Sequence, residues 1–556
     1  MADRMEELAN EVLQDFADLS EQRGQFESHW EEIADYLWPN YRNTFYPNSS
    51  NTAGERKTDR QLDSTPQIAL DRFGAILDSL LTPRNQKWHQ VQPSDATLLR
   101  DRQVQLYFED LNNLLFRYRY APEANFASQN QLLYKGLGAF GSSAMFIDAL
   151  STGPGLRYKA ISIAEQYWRE NHQGVVDTVL RRFSLRARQA LQIKGWQGKL
   201  PDQITTVGND PKRKDQEFWF LHRVRPRAEI MKGALDSRSM PFESVYVSEM
   251  GKKVLEEGGF RAFPYAPTRY EQAPNETYGR SPAMQALPAI KTLMVQKRVV
   301  LTQGHRAVNP VLLVADDGIM DNVNLRPGAQ VFGAVTQEGR ALVQPLPTGD
   351  VLLGKDMMDD ERAVINDAFL VSIFQVLLES TNRKTATEVL EIARDRGMIV
   401  APTAGRQQSE YLGPLIQREI DVLTNQNLLP PFPPALVEAQ GEYTIQYTSP
   451  LSRMARAEEA SGFMRVLETA TAVAQATGDP APLRRFNFDR AIVGMSDIQA
   501  VPASWLHSDE EMAQLAQLAA QQAQQQAQIA AAPGQAALLK AAADAKAKGL
   551  KSEDLQ

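Results

Sequence analysis

The chain has 556 residues, with 60 Lys and Arg against 68 Asp and Glu, a formal net charge of −8 and no cysteine. The lack of cysteine excludes disulfides and thiolate metal sites. The acidic balance argues against tight DNA binding, because affinity grows with the number of phosphates that basic side chains neutralise. It would suit a surface past which DNA slides. No apolar run reaches the roughly 18 residues of a membrane helix, and the acidic N-terminus does not resemble a signal peptide.

The first quarter of the sequence predicts helices. Apolar side chains recur at helical spacing over 2–37, where Pro39 ends the pattern, and further helices are predicted over 66–82, 95–117 and 122–135.

A G-x-G-x-x-G spacing follows at Gly136, Gly138 and Gly141. A dinucleotide-binding loop follows a strand and opens a helix, whereas here a helix precedes the glycines and a strand follows them. We therefore interpret the three glycines as a tight helix-to-strand turn.

From 143 to 273 the apolar period changes to two, with one helical interruption at 185–195. Links of hairpin length predict an antiparallel sheet, and so an α+β fold instead of a doubly wound one. The basic residues of this region favour a solvated face or a subunit contact, with a nucleic-acid patch as the alternative. They are Arg181, Arg182, Arg186, Arg188, Lys212, Arg213 and Lys214.

Two apolar-striped helical segments, 278–306 and 355–379, bracket an insert at 310–350 whose short extended runs predict strands. Pro288 predicts a kink or a helix start. Such a helical pair alone would expose too much apolar surface, but copies packed around an axis would bury it and close into a ring.

A polar loop, ESTNRK, occupies 379–384, and the segment TATEVLEIARDRG follows it. Thr385 and Glu388 have the spacing of a capping box, so we interpret both as structural caps of the next helix.

The C-terminal third predicts helices over 403–429 and 451–476 with a strand between them. Residues 508–556 are rich in alanine and glutamine and have almost no apolar stripe. They predict an exposed helical tail that frays towards its end.

The motifs of common enzymes do not occur. The six histidines are scattered, and the sequence contains no P-loop, H-E-x-x-H or G-x-S-x-G. Asp356, Asp359, Asp360 and Glu361 could hold Mg²⁺ for a nuclease, but carboxylates in the first turns of a helix are also favoured by its dipole. We predict no catalytic residue, cofactor or metal, and no enzyme.

The order helix, β-rich insert, helix, loop and TATEV helix resembles the head-to-tail connector (portal) proteins of short-tailed phages. YGRSPAMQALPAIKTL, TPRNQKWHQV (82–91) and GSSAMFIDAL (141–150) resemble that family in the same order, and the likeness runs from about residue 5 to about 500. It implies a portal-type fold with these parts: a helical and antiparallel-β wing (1–277), a stem helix (278–309), a β-rich clip (310–350), a second stem helix (351–378), a channel loop (379–384), return helices (385–450), a helical crown (451–507) and the tail (508–556).

The resemblance also implies site residues. It places the constriction of a DNA channel at the loop formed by Glu379, Ser380, Thr381, Asn382, Arg383 and Lys384. The acids Asp356, Asp359, Asp360 and Glu361 would lie near the channel and keep phosphates off its wall.

The function implied is a ring, twelve-fold by resemblance, at one capsid vertex of the virion, assembled in the host cytoplasm. Its partners would be double-stranded DNA, the terminase large subunit, the major capsid and scaffolding proteins, and a tail adaptor, with no membrane. The C-terminal tail would bind internal core proteins or only solubilise the chain. The alternatives are another ring-forming head-completion or tail-tube protein, and a metal-dependent nuclease that uses the four acids.

Overall fold

The computed structural model describes residues 2–45, 54–95, 97–98, 101–231, 236–309, 312–314, 335–336, 338–345, 351–372, 401–438, 442–479, 481–499, 505, 507 and 511–523. Within these ranges the fold is α+β, mostly helical with antiparallel sheets, as predicted. In chain order the helices are α1 (Ala2–Tyr36), α2 (Thr65–Leu81), α3 (Arg102–Arg119), α4 (Phe126–Phe140), α5 (Ala187–Gln192), α6 (Asp202–Asn209), α7 (Pro282–Val308), α8 (Val351–Ala368), α9 (Gly413–Asn425), α10 (Pro434–Glu438), α11 (Pro450–Thr477) and α12 (Phe488–Gln499). The strands are β1 (His89–Pro93), β2 (Ser142–Ala149), β3 (Leu156–Ile161), β4 (Gln166–Glu170), β5 (Val176–Arg186), β6 (Glu217–Pro226), β7 (Phe242–Ser248), β8 (Lys253–Phe260), β9 (Tyr265–Arg269), β10 (Leu312–Val314), β11 (Val343–Pro345) and β12 (Tyr443–Tyr447).

The chain divides into two compact units. The first comprises Met1–Trp88, Leu115–Leu429 and Tyr447–Arg465, and the second comprises His89–Leu114, Pro430–Gln446 and Val466–Gln556. In the second unit the Asn112 side chain accepts from Val91 N at 2.8 Å and donates to Val91 O at 3.0 Å. That amide therefore satisfies both backbone groups of one strand residue.

Two antiparallel sheets of the first unit have the strand orders β3-β2-β9 and β4-β5-β6-β7-β8, and β10 pairs with β11 in a further, two-stranded sheet. Neighbouring residues of β6 point to opposite faces of the larger sheet. Phe220 packs with Trp196, whereas Leu221 packs with Val12 and Leu19 of α1. The sheet is thus covered on both faces, which the alternating pattern did not predict.

The glycine-rich segment differs from the prediction. Gly136 and Gly138 lie inside α4, and only Gly141 lies at the turn, with φ +74. A Cβ at Gly138 would lie 2.6 Å from a ring carbon of Phe73, so the glycine allows α2 to pack closely on α4.

The two helices α7 and α8 also differ from the prediction at their ends. α7 begins at Pro282, where the Ser281 hydroxyl accepts a hydrogen bond from Met284 N at 3.0 Å. Pro288 lies inside the helix, so of the kink or helix start expected there, the helix start is wrong. The segment predicted to reach 378 is described only as far as 372. Within it α8 ends at Ala368, and Leu370 adopts a left-handed φ of +60. A branched side chain in that region ends a regular helix.

Part of the expected β-rich insert is described. β10 and β11 pair antiparallel, with Leu313 opposite Gln344. No helix of the described residues is long and apolar enough to cross a membrane.

Candidate functional site

The four acids singled out in the sequence lie on α8. Asp356, Asp359, Asp360 and Glu361 are five to ten residues beyond Val351, where the helix begins. The helix dipole stabilises carboxylates mainly within the first turn, so the dipole does not explain these acids. The apolar pattern predicted that the helix begins at Lys355. In the structure α8 begins four residues earlier, at Val351, so the acids lie beyond its first turn.

The acids do not converge on a metal site. Asp359 Oδ1 accepts a hydrogen bond from Arg362 at 2.7 Å, while Asp356 and Asp360 are exposed and one helical turn apart. Across the described ranges, no group of three or more His, Cys, Asp or Glu could hold a metal ion. The arrangement of α8 therefore gives no support to the nuclease alternative.

Arg362 anchors α8 to the segment before α2. Its guanidinium contacts Asp63 Oδ2 at 2.6 Å as well as Asp359, and the hydrogen bond to Asp63 is the main reason that the pKa of Arg362 is raised. Burial alone would raise the pKa of Asp63, but hydrogen bonds from Thr65 and Arg362 outweigh it and lower that pKa. Asp63 therefore remains a carboxylate that holds α8 in place.

A glycine sets the distance between α7 and α8. A Cβ at Gly354 would lie 2.7 Å from Val300 Cγ2, closer than real contacts allow. The two helices thus touch through a residue that has no side chain. Sequence reasoning missed this contact, because Gly354 lies one residue before the helical segment that the apolar pattern predicted.

The apolar stripes predicted for both helices face the interior in part. Met284, Leu287, Ile290 and Met294 of α7 are buried, as are Met358, Ile365 and Phe369 of the second segment. Leu301 is 46% exposed, so the stripe of α7 leaves the core before the helix ends. Ile373 and Val376 lie outside the described residues.

Other aliphatic side chains on the same helices are exposed. Val295 and Val299 of α7 are 63% and 59% exposed, and Leu353, Met357 and Val364 of α8 are 61%, 49% and 53% exposed. Large apolar side chains that stay exposed along a helix are typical of a contact with another chain. The α7–α8 pair is therefore the candidate site.

The predicted channel loop and the two predicted cap residues are not among the residues that the structure describes. Glu379, Ser380, Thr381, Asn382, Arg383, Lys384 and the caps Thr385 and Glu388 all lie outside the described residues.

Beyond that loop, a helical run that is described from residue 401 onwards is fixed to β9. Its π turn, Gln407–Leu412, places Gln407 where it accepts from Thr268 Oγ1 at 2.7 Å and donates to Arg269 O at 3.0 Å. Glu410 pairs with Arg269 at 2.9 Å. Burial would lower the pKa of Arg269, but the carboxylates of Glu410 and Glu170 raise it. Nothing in the sequence predicted this π turn.

Comparison with known proteins covers nearly the whole chain. Residues 9–506 match the family described as bacteriophage head to tail connecting protein. The portal protein of Salmonella phage epsilon15 is 28% identical over 546 residues, which cover 95% of this chain and 93% of that protein. A probable portal protein of Bordetella phage BPP-1 is 27% identical over 550 residues, covering 97% of this chain and 94% of that protein. This chain therefore belongs to the bacteriophage head-to-tail connecting, or portal, protein family, and it is a structural, non-enzymatic component of the virion.

Proposed function

We propose that the chain forms a closed ring, twelve-fold by resemblance, at one vertex of the capsid. Double-stranded DNA would pass through the ring during packaging and again during ejection. The ring would first attach the terminase large subunit and later the tail adaptor, and it would contact the major capsid and scaffolding proteins.

The exposed aliphatic side chains of α7 and α8 are the main observation that supports the proposed ring. Five large side chains, Val295, Val299, Leu353, Met357 and Val364, are each about half exposed or more. Burying apolar area stabilises by about 25 cal/mol per Å². A contact repeated from one copy to the next buries these side chains on every copy and closes when the rotation matches.

We further propose an assignment of the parts that the resemblance implies. α7 and α8 would be the stem helices, with the insert at 310–350 as the clip below them. The N-terminal helices and the two sheets would form the wing, and α11 and α12 would contribute to the crown.

A phage that lacks this gene tests the proposal. We expect capsids that assemble without DNA, and genome-filled capsids when the gene is supplied in trans. A gold-labelled chain should appear at one vertex per capsid. Normal genome filling without the gene, or label spread over all vertices, would contradict the proposed function.

We further propose that the loop at 379–384 faces the DNA in the channel, with Arg383 and Lys384 giving weak, register-free contacts to phosphates. The double substitution Arg383→Glu with Lys384→Glu should leave rings intact and lower packaging or DNA retention. Genome filling equal to that of the unsubstituted phage would remove the channel role from this loop.

A further inference from the structure

We propose that the basic outer face of α7 in one copy docks on the acidic outer face of α8 in the next copy. This inference rests on the proposed ring and names the surfaces that join its subunits. It also gives Asp356 and Asp360 a role at the subunit contact instead of the DNA channel.

The two helices carry opposite charge. α7 has four basic side chains, Lys291, Lys297, Arg298 and Arg306, and no carboxylate. α8 has five carboxylates, Asp356, Asp359, Asp360, Glu361 and Asp367, against the two basic side chains Lys355 and Arg362.

Among the residues that the structure describes, no ion pair joins a basic side chain of α7 to a carboxylate of α8. Arg298 and Arg306 are exposed, and neither forms an ion pair with any residue in the part of the chain that the structure describes. The same holds for Asp356 and Asp360. The charged residues nearer the body do have partners, since Lys291 pairs with Glu32, and Arg362 with Asp63 and Asp359.

The unused charges lie beside the exposed aliphatic side chains. On α7, Val295 and Val299 are one turn apart with Arg298 between them. On α8, Leu353 and Met357 are one turn apart with Asp356 between them, and Asp360 and Val364 continue that side. An apolar seam flanked by charges is the arrangement by which paired helices select their partner and orientation.

A second copy fits both faces better than DNA does. The carboxylates of α8 repel phosphates, and exposed aliphatic side chains gain nothing from a phosphate backbone. In a ring, each copy would contact one neighbour through α7 and the other neighbour through α8, so both faces of every copy would be buried.

Charge reversal in the full-length protein tests this contact. One variant carries Arg298→Glu and Arg306→Glu, a second carries Asp356→Lys and Asp360→Lys, and a third combines all four substitutions. The matched control reverses two other exposed lysines, Lys194 and Lys199, to glutamate; both lie outside α7 and α8. Mass photometry would give the ring fraction at about 0.1 M and 0.5 M salt, since exposed ion pairs weaken as salt screens them.

Each two-site variant of the helices should need at least ten-fold more protein to half-assemble, while the control and the combined variant should assemble as the unsubstituted chain does. An equimolar mixture of the two-site variants should also assemble, in rings where they alternate, because each then meets the opposite charge. Circular dichroism would verify that every variant is folded. Unchanged assembly of both two-site variants, or no recovery in the combined variant and the mixture, would overturn this contact and leave the ring standing. A failure of the unsubstituted chain to form rings would overturn the proposed ring and the contact together.

Discussion

The buried pair Arg119–Glu419 should be a strong single determinant of the stability of the first unit. Both side chains are 0% exposed, and Arg119 Nε donates to Glu419 Oε1 at 2.9 Å. The Tyr158 hydroxyl donates to the same carboxylate, and the guanidinium lies 4.5 Å from the ring centroid of Trp88. The pair thus joins the end of α3 to α9 and β3.

Glu419→Ala would leave a buried charge without its counter-ion. Burial acts to lower the pKa of Arg119, yet the carboxylate of Glu419 raises it, and an arginine does not escape by losing its proton. Removing one partner of a buried pair costs about 3–5 kcal/mol. We expect a loss of that size in the free energy of unfolding, measured by urea titration of tryptophan fluorescence.

Replacing Arg119, Glu419 and Tyr158 together should lower the free energy of unfolding much less than removing Glu419 alone. Apolar residues of similar volume are often neutral replacements for a buried ion pair, so Arg119→Met, Glu419→Leu and Tyr158→Phe together should recover most of the loss. Asp215→Ala is the control, because its pair with Arg188 is about half exposed and is expected to contribute at most about 1 kcal/mol. If Glu419→Ala lost no more than this control, the reasoning from burial would be refuted.

Three further predictions concern positions fixed by close packing or burial. Gly141→Ala should lower the free energy of unfolding by more than about 3 kcal/mol in urea titration, since its Cβ would lie 2.2 Å from Gly279 O at φ +74, whereas Gly153→Ala, in open space, should be nearly neutral. Gly354→Ala should lower the melting temperature by pushing Val300 away, at a cost of about 1–3 kcal/mol, and a neutral result would mean that the two helices adjust freely. Burial lowers the pKa of His222 to about 3 from 6.5, so the unfolded chain takes up the proton first and stability should fall by up to about 1.4 kcal/mol per unit as pH drops from 6.5 towards 3. His222→Gln should reduce that slope in urea titrations at several pH values, and an equal slope in both proteins would contradict the assignment.

The sequence predicted elements wherever a pattern was local. The α1 stripe, the strands between 143 and 273 and the cores of α7 and α8 follow from period and turn residues, and the structure confirms them. The sequence patterns could not predict features that depend on contacts with residues far away along the chain. Gly138 lies inside a helix where Phe73 of another helix packs against it, and the π turn at Gln407 is fixed by contacts with β9.

The candidate site was predicted only in part. Asp356 and Asp360 were singled out by composition, but their exposure on one side of α8, beside Leu353 and Met357, depends on which face packs against α7. The close contact at Gly354 and the exposure of Val295 likewise depend on how α7 and α8 pack against each other. The loop at 379–384 stays a prediction from resemblance.

Single-particle imaging of the purified full-length protein, with its mass in solution, tests the central claim most directly. We predict closed rings with an axial hole and a mass near twelve times the 62.2 kDa of one chain. Particles that stay monomeric at every protein and salt concentration, with or without scaffolding protein, would contradict it.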